Sequence, residues 1–448
     1  MTAHALPPGP RLAPLQTLRF VRDVNSTLTD AIRRYGDPFL LPLLVGDMVI
    51  TAHPEGIKEI FTADPDVFAS FGSGPLEPLV GKNSLLLLSG PRHKRERKLL
   101  MPPFHGERMR AYGQIMQQTT HQRLTAYRPG DRVVMQELTQ TVAFDIILRA
   151  VFGVEDAAHS QQFHRNNDRV MGAVDPLYMF FPPLRQPFMP AWRRLLDAQA
   201  EQDTLLQAQL DNRRASGKSG EDILSLMMAA RDEADQPMSD RELKDELITM
   251  IAAGHETTAL SMAWSMFWLH RDPPRLARLQ AEIDALGPNP DPAALAKLPY
   301  LSAVCDETLR LRPVVDICPR RTVQPFRLRG WDLPVGTAVA ASITLAHRNP
   351  DVYPQPDAFM PERFLEHKFS PFEYLPFGGG ARRCLGAAFA AYEMRIVLGT
   401  LLSEGRFSLT STTIPRQVRR NVTRAPAGGI PMIVTGPRGP AAGGGQRD

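Results

Sequence analysis

Apolar residues recur at helical spacing through most of the middle of this 448-residue chain, and strand-like runs are confined to its flanks. Residues 24–35 read as a helix. A hairpin follows, with strands over 39–44 and 48–51 turned by Val45-Gly46-Asp47, and then a helix over 54–61. From about His93 to Leu311 the pattern is mostly helical. Strand signals return over 324–328 and 338–345, separated by Gly330-Trp331 and by Pro334-Val335-Gly336. Helical spacing resumes over 385–402. The pattern predicts a mainly α protein with a minor β-sheet, an α+β class. No composition shift marks an internal boundary, so a single domain is expected over 1–436, followed by a glycine- and proline-rich tail, 437–448, without apolar anchors and expected to be mobile.

One helical stretch stands apart. Between Leu247 and Leu269 every residue is neutral except Glu256, with His255 beside it. The stretch is long enough to span a bilayer, but His255-Glu256-Thr257-Thr258 at its centre is costly in lipid. Its flanks are those of a buried soluble helix: Ser239 to Glu242 reads as a capping box, and Pro273-Pro274 stops the pattern. Glu256 and Thr257 differ by about 100° in direction on a helix, so they serve different faces. With Thr257 turned toward a reacting centre, Glu256 faces a flank within reach of water, an arrangement suited to proton relay. Gly254 removes a side chain one turn earlier and can loosen the local hydrogen bonding.

Composition narrows the classes. Fifty-two Lys and Arg against forty-eight Asp and Glu leave a net charge of only +4, too little and too dispersed to indicate nucleic-acid binding. Three cysteines, Cys305, Cys318 and Cys384, make no disulfide scaffold in a chain of this size and point to a reducing cytoplasm. Met1 to Leu6 has neither the charged nor the apolar region of a signal peptide, and Pro7-Pro8-Gly9-Pro10 follows at once. The expectation is a soluble protein with no membrane anchor.

The chemistry concentrates at Phe377-Gly378-Gly379-Gly380-Ala381-Arg382-Arg383-Cys384-Leu385-Gly386. A cysteine ahead of a helix N-terminus is favoured as thiolate, and glycines allow backbone N–H groups to approach the sulfur. This suits a thiolate bound to heme iron. The six fixed positions arise by chance in a chain this long with odds on the order of 10⁻⁶ to 10⁻⁵. A phosphate loop of the usual type needs Gly-Lys-Ser/Thr, which is absent. An inert buried cysteine is the other bland alternative.

The loop resembles that of the cytochrome P-450 superfamily, the heme-thiolate monooxygenases, and the resemblance runs through essentially the full length. It implies the P-450 fold, iron protoporphyrin IX (heme b) as cofactor, and Cys384 as the axial ligand within the Phe377-Gly378 loop. Ala253-Gly254-His255-Glu256-Thr257-Thr258 is similar to the family's oxygen-activation motif, in which Thr257 hydrogen-bonds dioxygen at the iron and Glu256 passes protons inward. His93 and Arg97, four apart on one helix face, together with Arg320 and Arg382, are implied as propionate contacts; Arg321 beside Arg320 leaves that assignment open. Glu307 to Arg310 and Pro361-Glu362-Arg363-Phe364 are similar to elements whose charges form a buried structural network. Ala253, Gly254 and Val315 are implied to face substrate. Asp316 reads as an exposed turn residue or a contact to a polar substrate group.

The activity so implied is insertion of one oxygen atom from O2 into a hydrophobic molecule, a fatty acid, terpenoid, steroid or polyketide, by hydroxylation or epoxidation. Apolar Phe71–Leu88 and Val174–Trp192, with Met179-Phe180-Phe181, fall where the family covers its pocket. The sequence carries no flavin domain, so electrons are expected from NAD(P)H through ferredoxin reductase and ferredoxin; Lys94, Arg95 and Lys98 read as an ordinary solvated helix face, with reception of an acidic ferredoxin as the alternative. A monomer is expected. The rivals are a peroxide-driven peroxygenase and a non-enzymatic heme sensor; neither needs Glu256 beside Thr257.

Overall fold

In a computed structural model the chain is described over residues 6–104, 106, 108–154, 156–175, 178, 182–216, 220, 222–420 and 423–437. Met179-Phe180-Phe181 and residues 438–448 lie outside these. The chain forms two compact units, one from residues 1–69, 109–142 and 257–448, the other from 70–108 and 143–256.

In the first unit a single aspartate separates two helices. Asp23 donates its backbone N–H to the Arg19 carbonyl at the end of Ala13–Arg22, and its side chain accepts from Ser26 N at 3.1 Å to open Val24–Tyr35. The hairpin pairs Phe39–Leu43 with Gly46–Thr51, and Leu43 stands opposite Gly46. The turn is therefore Leu44-Val45, not 45–47: Gly46 takes a φ of 115°, which glycine tolerates, and joins the strand. A five-stranded sheet has the spatial order Phe39–Leu43, Gly46–Thr51, Ala338–Ser342, Ile317–Thr322, Phe68–Ser70. Ala338–Ser342 is buried throughout, as a central strand covered on both faces should be. The apolar run predicts a strand as far as Leu345, but Ser342 ends it: its Oγ accepts from Leu345 N at 3.3 Å and caps a short helix, Ile343–Ala346. Ile317–Thr322 escapes the pattern because Pro319, Arg320 and Arg321 break any alternation. Trp331 belongs to the strand Trp331–Leu333, and the turn before it is Arg329-Gly330, both with positive φ.

The helix Pro299–Leu311 and the second half of Asp240–Arg271 are largely buried in this unit, as is much of Ala387–Glu404. Their centre holds an ion-pair knot. Arg310 meets Glu307 through two bonds, Nε to Oε2 at 2.6 Å and Nη2 to Oε1 at 2.9 Å, with both side chains fully buried. Arg363 Nε adds a third at 3.2 Å, and Met360 N a fourth at 2.8 Å. The remaining guanidinium protons of Arg310 go to the carbonyls of His347, Pro356 and Ala358. Glu362 departs from the expected network: it is half-buried and pairs instead with Arg275, Arg278 and the Tyr300 hydroxyl.

In the second unit Asp156 and Asp222 cap the helices Ala157–Ala173 and Ile223–Ala229. Trp192, Leu195 and Ala198 of Pro190–Ser216 pack on Val170 and Tyr178. The first half of Asp240–Arg271 begins with the expected capping box, Ser239 N donating to Glu242 Oε2 at 2.8 Å and Glu242 N to Ser239 Oγ at 3.3 Å. It then clamps the segment 83–85. Asp245 accepts from Asn83 N and Nδ2, Glu246 from Leu85 N, and Thr249 Oγ1 meets Ser84 Oγ. No helix among the described residues is long and apolar enough to cross a membrane.

Arg310→Ala leaves the fully buried Glu307 carboxylate without its main partner, so a loss of about 3–5 kcal/mol in urea denaturation, or failure to fold, is expected. Glu246 generates a pH prediction. Burial, with Glu96, Asp245 and Glu242 nearby, pushes its pKa from 4.5 up to about 8. The folded protein keeps this proton over a range where the unfolded chain has lost it, so the stability it contributes is full below 4.5 and lost as pH rises through about 8. Glu246→Gln should reduce the fall in denaturation midpoint between pH 6 and 9 by about half or more.

Candidate active site

Cys384 is exposed three residues before the helix Ala387–Glu404. Its N–H donates to the Phe377 carbonyl at 2.9 Å and closes the loop. The other two cysteines are poor ligands. Burial pushes the Cys305 thiol up to about 12 and that of Cys318 up to about 11. The glycines are required by close approach. A Cβ on Gly379 would lie 2.1 Å from the Phe61 ring, one on Gly380 would lie 2.4 Å from the Phe61 carbonyl, and Gly378 and Gly380 both take φ of 64°.

The loop hangs from the ion-pair knot. His347, whose carbonyl accepts from Arg310, also accepts through Nε2 from Leu375 N at 2.9 Å, and the Leu375 carbonyl accepts from Gly378 N at 3.0 Å. Burial and the charge of Arg310 push the His347 pKa down to about 3, so the ring is neutral and remains an acceptor. Sequence reading missed His347 and Phe61; the only signal was a histidine in Ala346-His347-Arg348-Asn349-Pro350, directly after a buried strand.

Arg320 and Arg321 part company. Arg321 turns to the Gly336 carbonyl at the surface, whereas Arg320 Nη2 reaches the Gly379 carbonyl of the cysteine loop at 3.4 Å. Arg320 is desolvated, which lowers its pKa, and its hydrogen bonds go to carbonyls, those of Pro319 and Gly379. Arg382 is half-buried in the same loop and Arg383 is exposed beside the cysteine.

On the long helix Asp240–Arg271, Ala253 is exposed and Gly254 and Thr257 are half-buried, while His255, Glu256 and Thr258 are buried. Glu256, at 6% exposure, does not face water as expected from helical geometry. It is covered because its flank packs into the protein body. The helix is unbroken through Gly254, and the glycine has a packing cause: a Cβ there would lie 2.8 Å from Ile147 Cδ1.

In the second unit His93 is buried and Arg97 half-buried on the helix Gly90–Leu100. Two of the cations read as a solvated face or a ferredoxin contact are engaged in ion pairs: Arg95 pairs with Asp232 and Lys98 with Glu233. Val315 is 38% exposed. Asp316 is neither an exposed turn residue nor an open polar contact. Its carboxylate accepts from Thr344 Oγ1 at 2.8 Å and Arg424 Nη1 at 3.2 Å, a structural role.

A family model described as cytochrome P-450 matches residues 5–430. The chain belongs to the cytochrome P-450 family. It is a heme monooxygenase. Cytochrome P-450 137 of Mycobacterium tuberculosis is 35% identical over 405 residues, 89% of this chain and 83% of that protein. Cytochrome P-450 135B1 of the same organism is 34% identical over 444 residues, 98% and 93% of the two chains. The structure of retinoic-acid-bound cyanobacterial CYP120A1 matches with a TM-score of 0.85 at 25% identity, covering 97% of this chain and 99% of that one. The heme domain of cytochrome P-450DA matches with the same TM-score at 22% identity, a likeness of fold.

The residues of this P-450 fit iron protoporphyrin IX. The accessible Cys384 offers a soft sulfur donor ahead of a helix N-terminus. Arg320, half-buried and bonded to carbonyls, is the group that an incoming carboxylate would satisfy. Gly379→Ala should cost about 1–3 kcal/mol in thermal denaturation through the clash with Phe61, and a double-mutant cycle with Phe61→Ala should recover a large part of that cost.

Proposed function

We propose that this P-450 oxidises a hydrophobic organic molecule of the fatty-acid, terpenoid, steroid or polyketide class, by hydroxylation or epoxidation. The observation that carries the site assignment is Cys384, exposed in a glycine loop ahead of a helix, with a desolvated arginine reaching the same loop. The apolar leaning of Val174–Trp192 supports the substrate class, as does the retinoic acid named in the CYP120A1 structure. Electrons come from NAD(P)H through a ferredoxin reductase and a ferredoxin; with Arg95 and Lys98 engaged, exposed Arg383 beside Cys384 is the cation better suited to an acidic carrier. The enzyme works in the cytoplasm as a monomeric, single catalytic domain.

Cys384 would hold the iron of a bound heme through its thiolate. Arg320 and Arg382 would hold the propionates of a bound heme, a role that the resemblance extends to His93 and Arg97, and Phe377 and Gly378 shape the loop around the sulfur. When bound, the heme supplies a redox-active iron at which dioxygen is reduced and one of its atoms is passed to substrate. Everything else falls to the chain. The Thr257 hydroxyl both donates and accepts, so its Oγ1 holds a proton at the reacting face of the helix. Glu256 carries protons from the protein body to that hydroxyl; because the two side chains diverge by about 100°, the transfer needs a rotamer change or a bridging water. Ala253, small and exposed on the helix, leaves room for substrate, Gly254 lets the helix sit close against Ile147 beside it, and Val315 offers an apolar contact.

Thr257→Ala should keep oxygen uptake but lower product formed per oxygen consumed by about tenfold or more, and Cys384→Ala should lose the red-shifted Soret band of the reduced carbon monoxide adduct. Product formation from hydrogen peroxide without reductant or oxygen uptake, unchanged in Thr257→Ala, would favour a peroxide-driven enzyme, and absence of turnover in wild type with reductant and a panel of apolar substrates would favour a sensor.

A further inference from the structure

The helix Ala13–Arg22 is inverted. It buries the polar Gln16, at 6% exposure, and leaves Leu15, Leu18 and Val21 at 48, 65 and 49%. At about 100° per residue, Leu18 and Val21 stand roughly 160° and 140° round from Gln16 and Leu15 roughly 100°, so the outward arc is the apolar one. The patch does not stop at the helix. Leu44 N donates to Thr17 Oγ1 at 2.9 Å, which sets the hairpin turn, Leu44 at 62% and Val45 at 42% exposure, beside it. Arg321 donates to the Gly336 carbonyl and its Nη2 lies 4.0 Å from where a Cβ on Gly46 would be, so the turn bearing Val335, 58% exposed, adjoins the hairpin.

Cations frame these side chains. The first 22 residues contain Arg11, Arg19 and Arg22 and no acidic residue, and none occurs between 405 and 447. That second stretch comes to the same place, since the Arg419 guanidinium stands 5.9 Å from the Phe20 ring centroid. The acids nearby, Asp23, Asp30 and Asp47, do not balance it; Asp30 pairs with Arg19 and Asp23 caps a helix. An apolar face on segments with an excess of arginine is matched by a surface that is oily within and negative at its edge. A two-fold contact with a second copy would instead set the same arginines against one another.

We propose that this face seats on a bilayer containing anionic lipid, with the leucines entering the interface and the arginines meeting headgroup charge. The seat is peripheral and requires no spanning segment. Purified holoenzyme should co-float with vesicles of phosphatidylcholine and phosphatidylglycerol, bind pure phosphatidylcholine at least several-fold more weakly, and release as salt is raised. Leu15→Glu/Leu18→Glu should weaken flotation by roughly tenfold or more while leaving the carbon monoxide spectrum and turnover of a soluble substrate unchanged. Arg11→Gln/Arg22→Gln should weaken binding to the anionic vesicles alone. Absence of flotation, flotation unaffected by the leucine substitutions, or a concentration-dependent dimer that those substitutions dissolve would each overturn the proposal.

Discussion

The first unit is organised around a charge that cannot be left alone. Arg310 is fully buried, and every one of its hydrogen bonds is made within the protein: two to Glu307 and three to backbone carbonyls from a single irregular stretch, 347–358. A guanidinium so placed dictates the course of chain that has no regular secondary structure to guide it. The same stretch then reaches the active loop through His347, Leu375 and Gly378. The loop that carries Cys384 is thus tied to a buried ion pair three hydrogen bonds away, a pair that is tolerable only when each lone pair and proton is satisfied.

The sequence was readable where one residue type settles a local question. The Ser239–Glu242 box, the helix over 24–35 and the cysteine ahead of Ala387–Glu404 all follow from short-range hydrogen bonding or periodicity, and all stand in the structure. It was opaque where the deciding partner lies far along the chain. Ile317–Thr322 is a strand because Ala338–Ser342 pairs with it, although its own side chains do not alternate. Asp316 looked like a turn residue because Arg424, its ion-pair partner, lies 108 positions away. Glu362, a residue from the buried Arg363, could be separated from it only by knowing that the helix Pro273–Asp284 brings Arg275 alongside.

The active loop itself illustrates the same division. Its motif names the ligand, but the three glycines carry a message that the motif does not spell out. Gly379 and Gly380 admit Phe61, from a helix more than three hundred positions earlier, against the backbone that carries the sulfur. The loop is held from one side by an aromatic ring and from the other by hydrogen bonds leading to Arg310. A side chain at either glycine would have to displace ring or backbone, and the sulfur would move with it.

Arg320 extends this logic from folding to function. Arg310 is a buried cation with its anion supplied by the chain; Arg320 is desolvated beside the active loop and, among the described residues, hydrogen-bonds to carbonyls alone. A partial dipole compensates a desolvated charge less well than a carboxylate does. The folded chain therefore carries an unmet electrostatic demand at this position, and a ligand that brings a carboxylate there binds the folded form in preference to the unfolded one. In the proposed site, linkage would make heme loading and stability of this unit rise together. Arg310 and Arg320 are ten residues apart, and they solve one electrostatic problem in opposite ways: the first locks the scaffold permanently, the second leaves the lock to be completed by what the scaffold is built to hold.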